Sequence, residues 1–153
     1  MNYAELHCHS YYSFHDGASS LEELLVRAKD LGYRALALTE HDNLCGAMRF
    51  ARLAKSLDFH GIIGAEITLV NGFHLTLLAK NGEGYKNLCR LITAARNSGE
   101  RNDPALPPGV LAGHAAGLIA LSGCPRGELA QLVAKNRLFC LLQQRSGSKD
   151  LSA

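Results

Sequence analysis

Residues 34–39, Arg-Ala-Leu-Ala-Leu-Thr, set the tightest limit on what this chain can fold into. The run is apolar at consecutive positions, so both of its faces must be covered. That is the pattern of a strand buried within a largely parallel sheet. The flanking segments agree. Upstream, Ser20 stands three residues before Glu23, the spacing of a capping box. Leu21, Leu24, Leu25, Ala28 and Leu31 then recur at helical spacing up to Gly32, the expected stop. Downstream, residues 46–57 read as a second helix, with Met48, Ala51, Leu53 and Ala54 available for its inner face. Residues 3–8 read as the first strand and 62–69 as the third. Asn71-Gly72 is a hairpin signal leading into a fourth strand over 73–79. A third helix is expected over 84–96, a loop with three prolines over 97–109, a fifth strand over 118–122 and a short helix over 127–135. Strands alternating with helices in this way imply an α/β fold, either a largely parallel sheet or an incomplete α/β barrel.

A chain of 153 residues fits one domain and can bury a real core. Its net charge of +2 is too weak to read as a nucleic-acid footprint. No apolar run is long enough to span a membrane, and the start does not have the basic-then-apolar pattern of a signal peptide. Five cysteines without a Cys-x-x-Cys pair point to free thiols and a reducing cytoplasm. No Walker loop, dinucleotide fingerprint or Ser-His-Asp order is present to direct the chemistry elsewhere.

The chemistry-bearing residues gather at predicted strand ends. His7 and His9 are two apart, so on a strand their imidazoles face the same way and can serve one ion. His41 follows the second strand, Glu66 lies within the third, His74 lies near the start of the fourth and Cys124 follows the fifth. In α/β barrels, functional side chains collect at the C-terminal ends of the strands. Imidazoles with carboxylates and one thiolate suit zinc, with manganese or iron where oxygen ligands dominate. Several such ligands converging would support more than one ion, and paired ions suit phosphoester hydrolysis. One geometric point resists. A strict two-residue hairpin at Asn71-Gly72 sets His74 opposite Leu69 and turns Glu66 to the other face; a longer loop or a bulge restores convergence. Glu40 and Asp42 flank His41 and are expected to orient it. His15, His60 and His114 are expected at the surface or in caps. Cys8, Cys45, Cys89 and Cys140 are expected as small core residues.

His7-x-His9-Ser10 with Asp16-Gly17, Ala37-Leu38-Thr39-Glu40-His41-Asp42 and Gly64-Ala65-Glu66 resemble the first motifs of the PHP (polymerase and histidinol phosphatase) superfamily. The residues from His74 to Asn81, from Gly84 to Leu91 and from Gly117 to Cys124 sharpen the likeness. Together they resemble the N-terminal PHP domain of bacterial C-family DNA polymerases, the DNA polymerase III alpha subunits. Ala18-Ser19-Ser20 and His7-Cys8-His9 are most similar to the error-prone branch.

The resemblance implies a distorted (β/α)7 barrel, incomplete in this chain, with up to three divalent metals. It implies metal ligands at His7, His9, Asp16, His41, Glu66, His74 and Cys124, with Glu66 bridging two ions. It implies a DNA-directed DNA polymerase at the level of the family, acting in replication and damage-induced translesion synthesis, with a metal-dependent phosphoesterase or 3'-5' exonuclease site in the PHP domain. DNA, bound through a polymerase region, and mutagenesis or replication accessory proteins are the implied partners, with no membrane. Glu40 replaces the family's usual Asp. The closing Asp-x-His motif is not found, so the chain is expected to be an N-terminal fragment, inactive alone, with its PHP part over 1–135 and a divergent, disordered tail over 136–153. The alternatives are a stand-alone PHP phosphoesterase and a non-catalytic scaffold.

Overall fold

A computed structural model describes residues 3–99 and 103–121 of the chain. Cys124, Cys140, the helix expected over 127–135 and the tail over 136–153 lie outside the described residues. The elements run β1 (Ala4–Glu5), α1 (Leu21–Asp30), β2 (Ala35–His41), α2 (Ala47–Ser56), β3 (His60–Thr68), β4 (His74–Ala79), α3 (Gly82–Ser98), α4 (Pro108–Gly113) and β5 (Leu118–Ala120). One five-stranded sheet carries them in the order β1-β2-β3-β4-β5. The pairs β1–β2 and β2–β3 are parallel; β3–β4 and β4–β5 are antiparallel. The fold is therefore mixed α/β, the half-barrel anticipated from the alternation, with β4 as its one reversed strand among the described residues.

Parity along the strands explains how the sheet divides its faces. Ala65, Ile67, Leu75 and Leu77 pack with Leu88, Leu91, Ile92 and Ala95 of α3. Leu36 and Leu38 pack with Leu21, Leu25 and Ala28 of α1 and with Phe50 and Ala54 of α2. The alternate residues Thr39, His41, Gly64, Glu66 and Thr76 take the opposite face. In the register, His41 lies beside Glu66, and Glu66 lies beside Thr76. Apolar packing thus fixes one face, while the other gathers its polar side chains at the His41–Glu66 end, beyond buried Ala37 and Leu78.

Helix α1 starts at Ser20, whose hydroxyl accepts from the Glu23 amide while the Glu23 carboxylate accepts from the Ser20 amide. The capping box is present as expected. Helix α2 differs from expectation. It buries Ala47, Phe50 and Ala54, while Met48 is 60% exposed and Ala51 is also exposed. The stripe is set by Phe50, the largest side chain available on that helix to fill the gap beside Leu36 and Leu38. Helix α4 begins inside the stretch expected as a loop, with Pro108 in its first turn, where a missing N–H costs nothing.

The hairpin resolves the earlier conflict. Leu69 N donates to Phe73 O (2.8 Å), and Gly72 N donates to Leu69 O (2.8 Å). The loop therefore has three residues, Val70-Asn71-Gly72, and Gly72 takes a left-handed φ of 79°. A turn followed by such a residue is the usual three-residue connection. His74 then pairs with Thr68 rather than Leu69, which returns it to the face of Glu66.

Candidate metal centre

Four imidazoles surround one carboxylate. Glu66 Oε2 lies 2.6 Å from His7 Nε2 and 4.0 Å from His9 Nε2. Glu66 Oε1 lies 3.1 Å from His41 Nδ1 and 3.0 Å from His74 Nδ1. Each carboxylate oxygen thus has its own pair of imidazoles. His7 Nε2 and His9 Nε2 are themselves 3.0 Å apart. Asp16 stands at the rim, with its Oδ2 3.9 Å from His41 Nδ1.

Topology brings these groups to one end of the sheet. His7 and His9 follow β1, His41 ends β2 and Glu66 is in the last part of β3. His74 begins its strand instead of ending it, and reaches the same rim because β4 runs the other way. The first strand is shorter than expected, ending at Glu5, so His7 and His9 are not in a regular ladder. Their segment is fastened to β2 instead: Thr39 N donates to Cys8 O (2.9 Å), and Cys8 N donates to Thr39 Oγ1 (3.0 Å). The alternation of the two rings survives without the strand.

Burial and charge act in opposite senses here. Burial raises the Glu66 carboxyl, but the surrounding His7, His41, His74 and His9 outweigh it and hold the carboxyl below its usual range. Burial also holds His9 below the ordinary imidazole value, against the upward pull of Glu66. Burial, with Glu5 and Glu40 adding to it, pushes the Cys8 thiol up to about 11 and keeps it protonated.

His41 is oriented by Asp42, as its flanking position suggested. Asp42 Oδ2 is 3.2 Å from His41 Nε2 and accepts from Thr68 Oγ1 (2.6 Å). Asp42 has a φ of 51°, and this departure from extended backbone lets its carboxylate turn back to its neighbour's ring. Glu40 does not touch that ring. It precedes His41 on a regular strand, so it points to the other face. There its carboxylate accepts from the hydroxyls of Ser10 and Ser13. Ser13 was not anticipated, since no motif spacing singles out a serine four residues after His9. Among the other expectations, His15 and His60 are exposed and His114 caps α4. Cys8 is half-buried and packs against the core of β2, α1 and α2 as expected, whereas Cys45 is exposed and Cys89 only half-buried, so these two are not core residues.

The donors also have the right chemistry for metal. His7, His9 and Glu66 form one group, and His41, Glu66 and His74 another, with the ligand atoms of each within 4.8 Å of one another. Two imidazoles with a carboxylate oxygen suit a first-row divalent ion. A family profile described as PHP domain matches residues 5–150. The chain belongs to the PHP domain family.

Relatives of this PHP domain include an error-prone DNA polymerase from Symbiobacterium thermophilum, 46% identical over 154 residues, an alignment covering 90% of the chain and 14% of the relative. A DNA polymerase III subunit alpha from Treponema pallidum is 40% identical over 151 residues, covering 90% of the chain and 13% of the relative. The error-prone DNA polymerase of Pseudomonas aeruginosa is 47% identical over 119 residues, covering 78% of the chain and 12% of the relative. The PHP domain here thus spans a small part of each relative's length. Among solved structures, an amidohydrolase from Chromobacterium violaceum, with bound sulfate and no metal, is 28% identical with a TM-score of 0.52, covering 62% of this chain and 34% of that one. A Bifidobacterium adolescentis protein provisionally described as a metal-dependent phosphoesterase shares the fold at 21% identity and a TM-score of 0.53, covering 65% of this chain and 35% of that one. No helix among the described residues is long and apolar enough to cross a membrane.

Proposed function

We propose that this PHP domain holds two divalent ions on Glu66, one with His7 and His9 and one with His41 and His74, as the phosphoesterase-type site of an error-prone DNA polymerase. The observation that carries the reading is the division of the Glu66 oxygens between two imidazole pairs. A carboxylate so placed can share itself between two cations, whereas a lone surface ion pair needs neither the burial nor the fourth imidazole. Asp16 on the His41 side and Cys124 are the further ligands of this reading. Zinc suits the imidazole-rich donors, with manganese or iron as alternatives.

Held by His7, His9, His41, His74 and Glu66, divalent ions would supply Lewis acidity toward a phosphoryl oxygen and would activate water at neutral pH. The chain's own residues bind and orient. Glu66 holds the two halves of the site together, Asp42 keeps His41 turned toward Glu66, and the side chain of His7, 45% exposed, leaves the site open to a phosphate ester. DNA synthesis past damage, binding to DNA and to accessory proteins, and a cytoplasmic location belong to the same reading, and rest on relatives of which this chain spans 14% or less.

Elemental analysis of the purified chain and of the paired variant His7→Ala with His9→Ala tests the metal reading. Zinc or manganese should fall in the variant, and equal content would defeat the site. On a primed template the chain alone should incorporate no nucleotide, and incorporation by a contaminant-free preparation would overturn that expectation.

A further inference from the structure

We infer that Glu40, acting through Ser13, fixes His9 as the Nδ1–H tautomer and so presents its bare Nε2 to the metal centre. This rests on the proposal that His9 is a ligand, and adds a positioning pair that the ligand set does not contain.

One hydroxyl, that of Ser13, has a fixed capacity for partners. Ser13 is 1% exposed, so water is not a partner for its Oγ. Three groups surround that oxygen: a Glu40 carboxylate oxygen, the backbone N–H of His41 at 2.9 Å and His9 Nδ1 at 3.0 Å. A hydroxyl has one proton to give and two lone pairs to receive with. A carboxylate only accepts, so the proton goes to Glu40. A backbone N–H only donates, so it takes the first lone pair. What remains for His9 is the second lone pair, and Nδ1 must carry hydrogen to use it. The opposite nitrogen, Nε2, is then bare, 3.0 Å from His7 Nε2 and on the Glu66 side of the ring.

Glu40 is well held for this task. It is 1% exposed and accepts from the Ser10 hydroxyl and, at 3.3 Å from each oxygen, from the Ser10 amide. The loop that carries both serines is closed by Gly17, where an added Cβ would sit 2.1 Å from Ser10 O. His41 shows the shorter version of the same device, with Asp42 facing its Nε2 directly and Nδ1 left for Glu66. The two halves of the site therefore present opposite imidazole nitrogens. A carboxylate on the far face of the sheet can reach His9 only through an intervening hydroxyl, which is the part Ser13 plays.

Long-range 1H–15N spectra of the histidine-labelled full chain, kept metal-free with chelator at pH 8, read the tautomer directly. At that pH imidazoles are neutral, since their ordinary pKa is about 6.5. The wild type should show His9 protonated at Nδ1; protonation at Nε2 overturns the inference without any variant being made. In Ser13→Ala the Nε2–H form should grow, and calorimetric zinc affinity should fall about 10–100-fold, as when a ligand's supporting hydrogen bond is removed. Ser13→Thr, which keeps the hydroxyl, should restore both. An unchanged His9 tautomer in a folded Ser13→Ala chain would also overturn it. A wild type with the Nδ1–H tautomer but no zinc affinity would support the Ser13 contact and sink the metal reading, so the two failures are separable.

Discussion

Two glutamates on adjacent strands are nearly equally buried and have opposite surroundings. Glu40 on β2 is 1% exposed and Glu66 on β3 is 8% exposed. Glu40 is met by hydroxyls and a backbone amide; Glu66 is met by four imidazoles. Hydroxyl and amide donors satisfy a carboxylate inside the protein, leaving nothing for a ligand to replace. Imidazoles offer lone pairs as readily as protons, so a carboxylate among them can exchange its partners for cations. Burial of an acid is therefore not in itself the mark of a functional group; the kind of neighbour decides.

The largest expected effect comes from removing the charge that distinguishes the second environment. Glu66→Gln should lower zinc affinity by more than about 100-fold, beyond the range seen when only a supporting residue is lost. Calorimetry checks this. In a thermal or denaturant melt, zinc at about 100 times its Kd should stabilise the wild type by about 2.7 kcal/mol and leave Glu66→Gln nearly unmoved. Equal stabilisation of both would erase the contrast between the two acids.

Glu40→Ala should lower stability, and through Ser13 and His9 also weaken zinc binding, though less than Glu66→Gln does. It strands the Ser10 and Ser13 hydroxyls and the Ser10 amide without an acceptor, at a cost of about 1–3 kcal/mol for a buried donor left unpaired. Urea unfolding measures it, and a loss below about 0.5 kcal/mol would mean that Glu40 is not the structural acid of the pair. Ser20→Ala lies away from both glutamates and should cost about 1 kcal/mol, the usual worth of a helix cap.

The smallest effect is a pH slope. The Ser20 amide, and then its hydroxyl, hold the Glu23 carboxyl below its ordinary value. With the native pKa depressed, the unfolded chain takes up the proton first as the pH falls. The contribution is present above the unfolded value, about 4.3, and is lost as the pH falls through the lowered native value. Glu23→Gln should flatten that part of the stability curve, and an unchanged slope between pH 5 and pH 3 would count against the cap.

Much of this was legible in the chain because it depends on neighbours close in sequence. The capping box at Ser20, the buried run of β2 and the His7-x-His9 pair follow from short spacings, and His41 and Glu66 joined them because both fall near predicted strand ends. What sequence left open depended on register. One residue more in the hairpin decided whether His74 met Glu66, and Asn71-Gly72 alone suits either loop length. The Glu40 partner was misread because adjacency in sequence means opposition on a strand. Ser13 was missed because two of its three partners, Glu40 and His41, lie 27 and 28 residues further along the chain on β2. The exposed Met48 follows from Phe50 claiming the inner side of α2, a choice that only the filled space beside β2 makes visible.

The reversed strand β4 carries a consequence for how such a domain can change. Its histidine is the second residue after a tight loop, so insertions absorbed into that strand are filtered by whether they are odd or even. A single added residue accommodated within β4 would send His74 toward α3 and bring an apolar neighbour to Glu66, while two would return an imidazole-bearing pattern to the same side. The histidines entering from β1 and β2 have no such arithmetic upstream of them, since length added before those strands leaves their pairing untouched. One of the four imidazoles is thus bound to the length of a loop, His41 to the strand that bears it, and His7 and His9 to the segment that Cys8 fastens to Thr39.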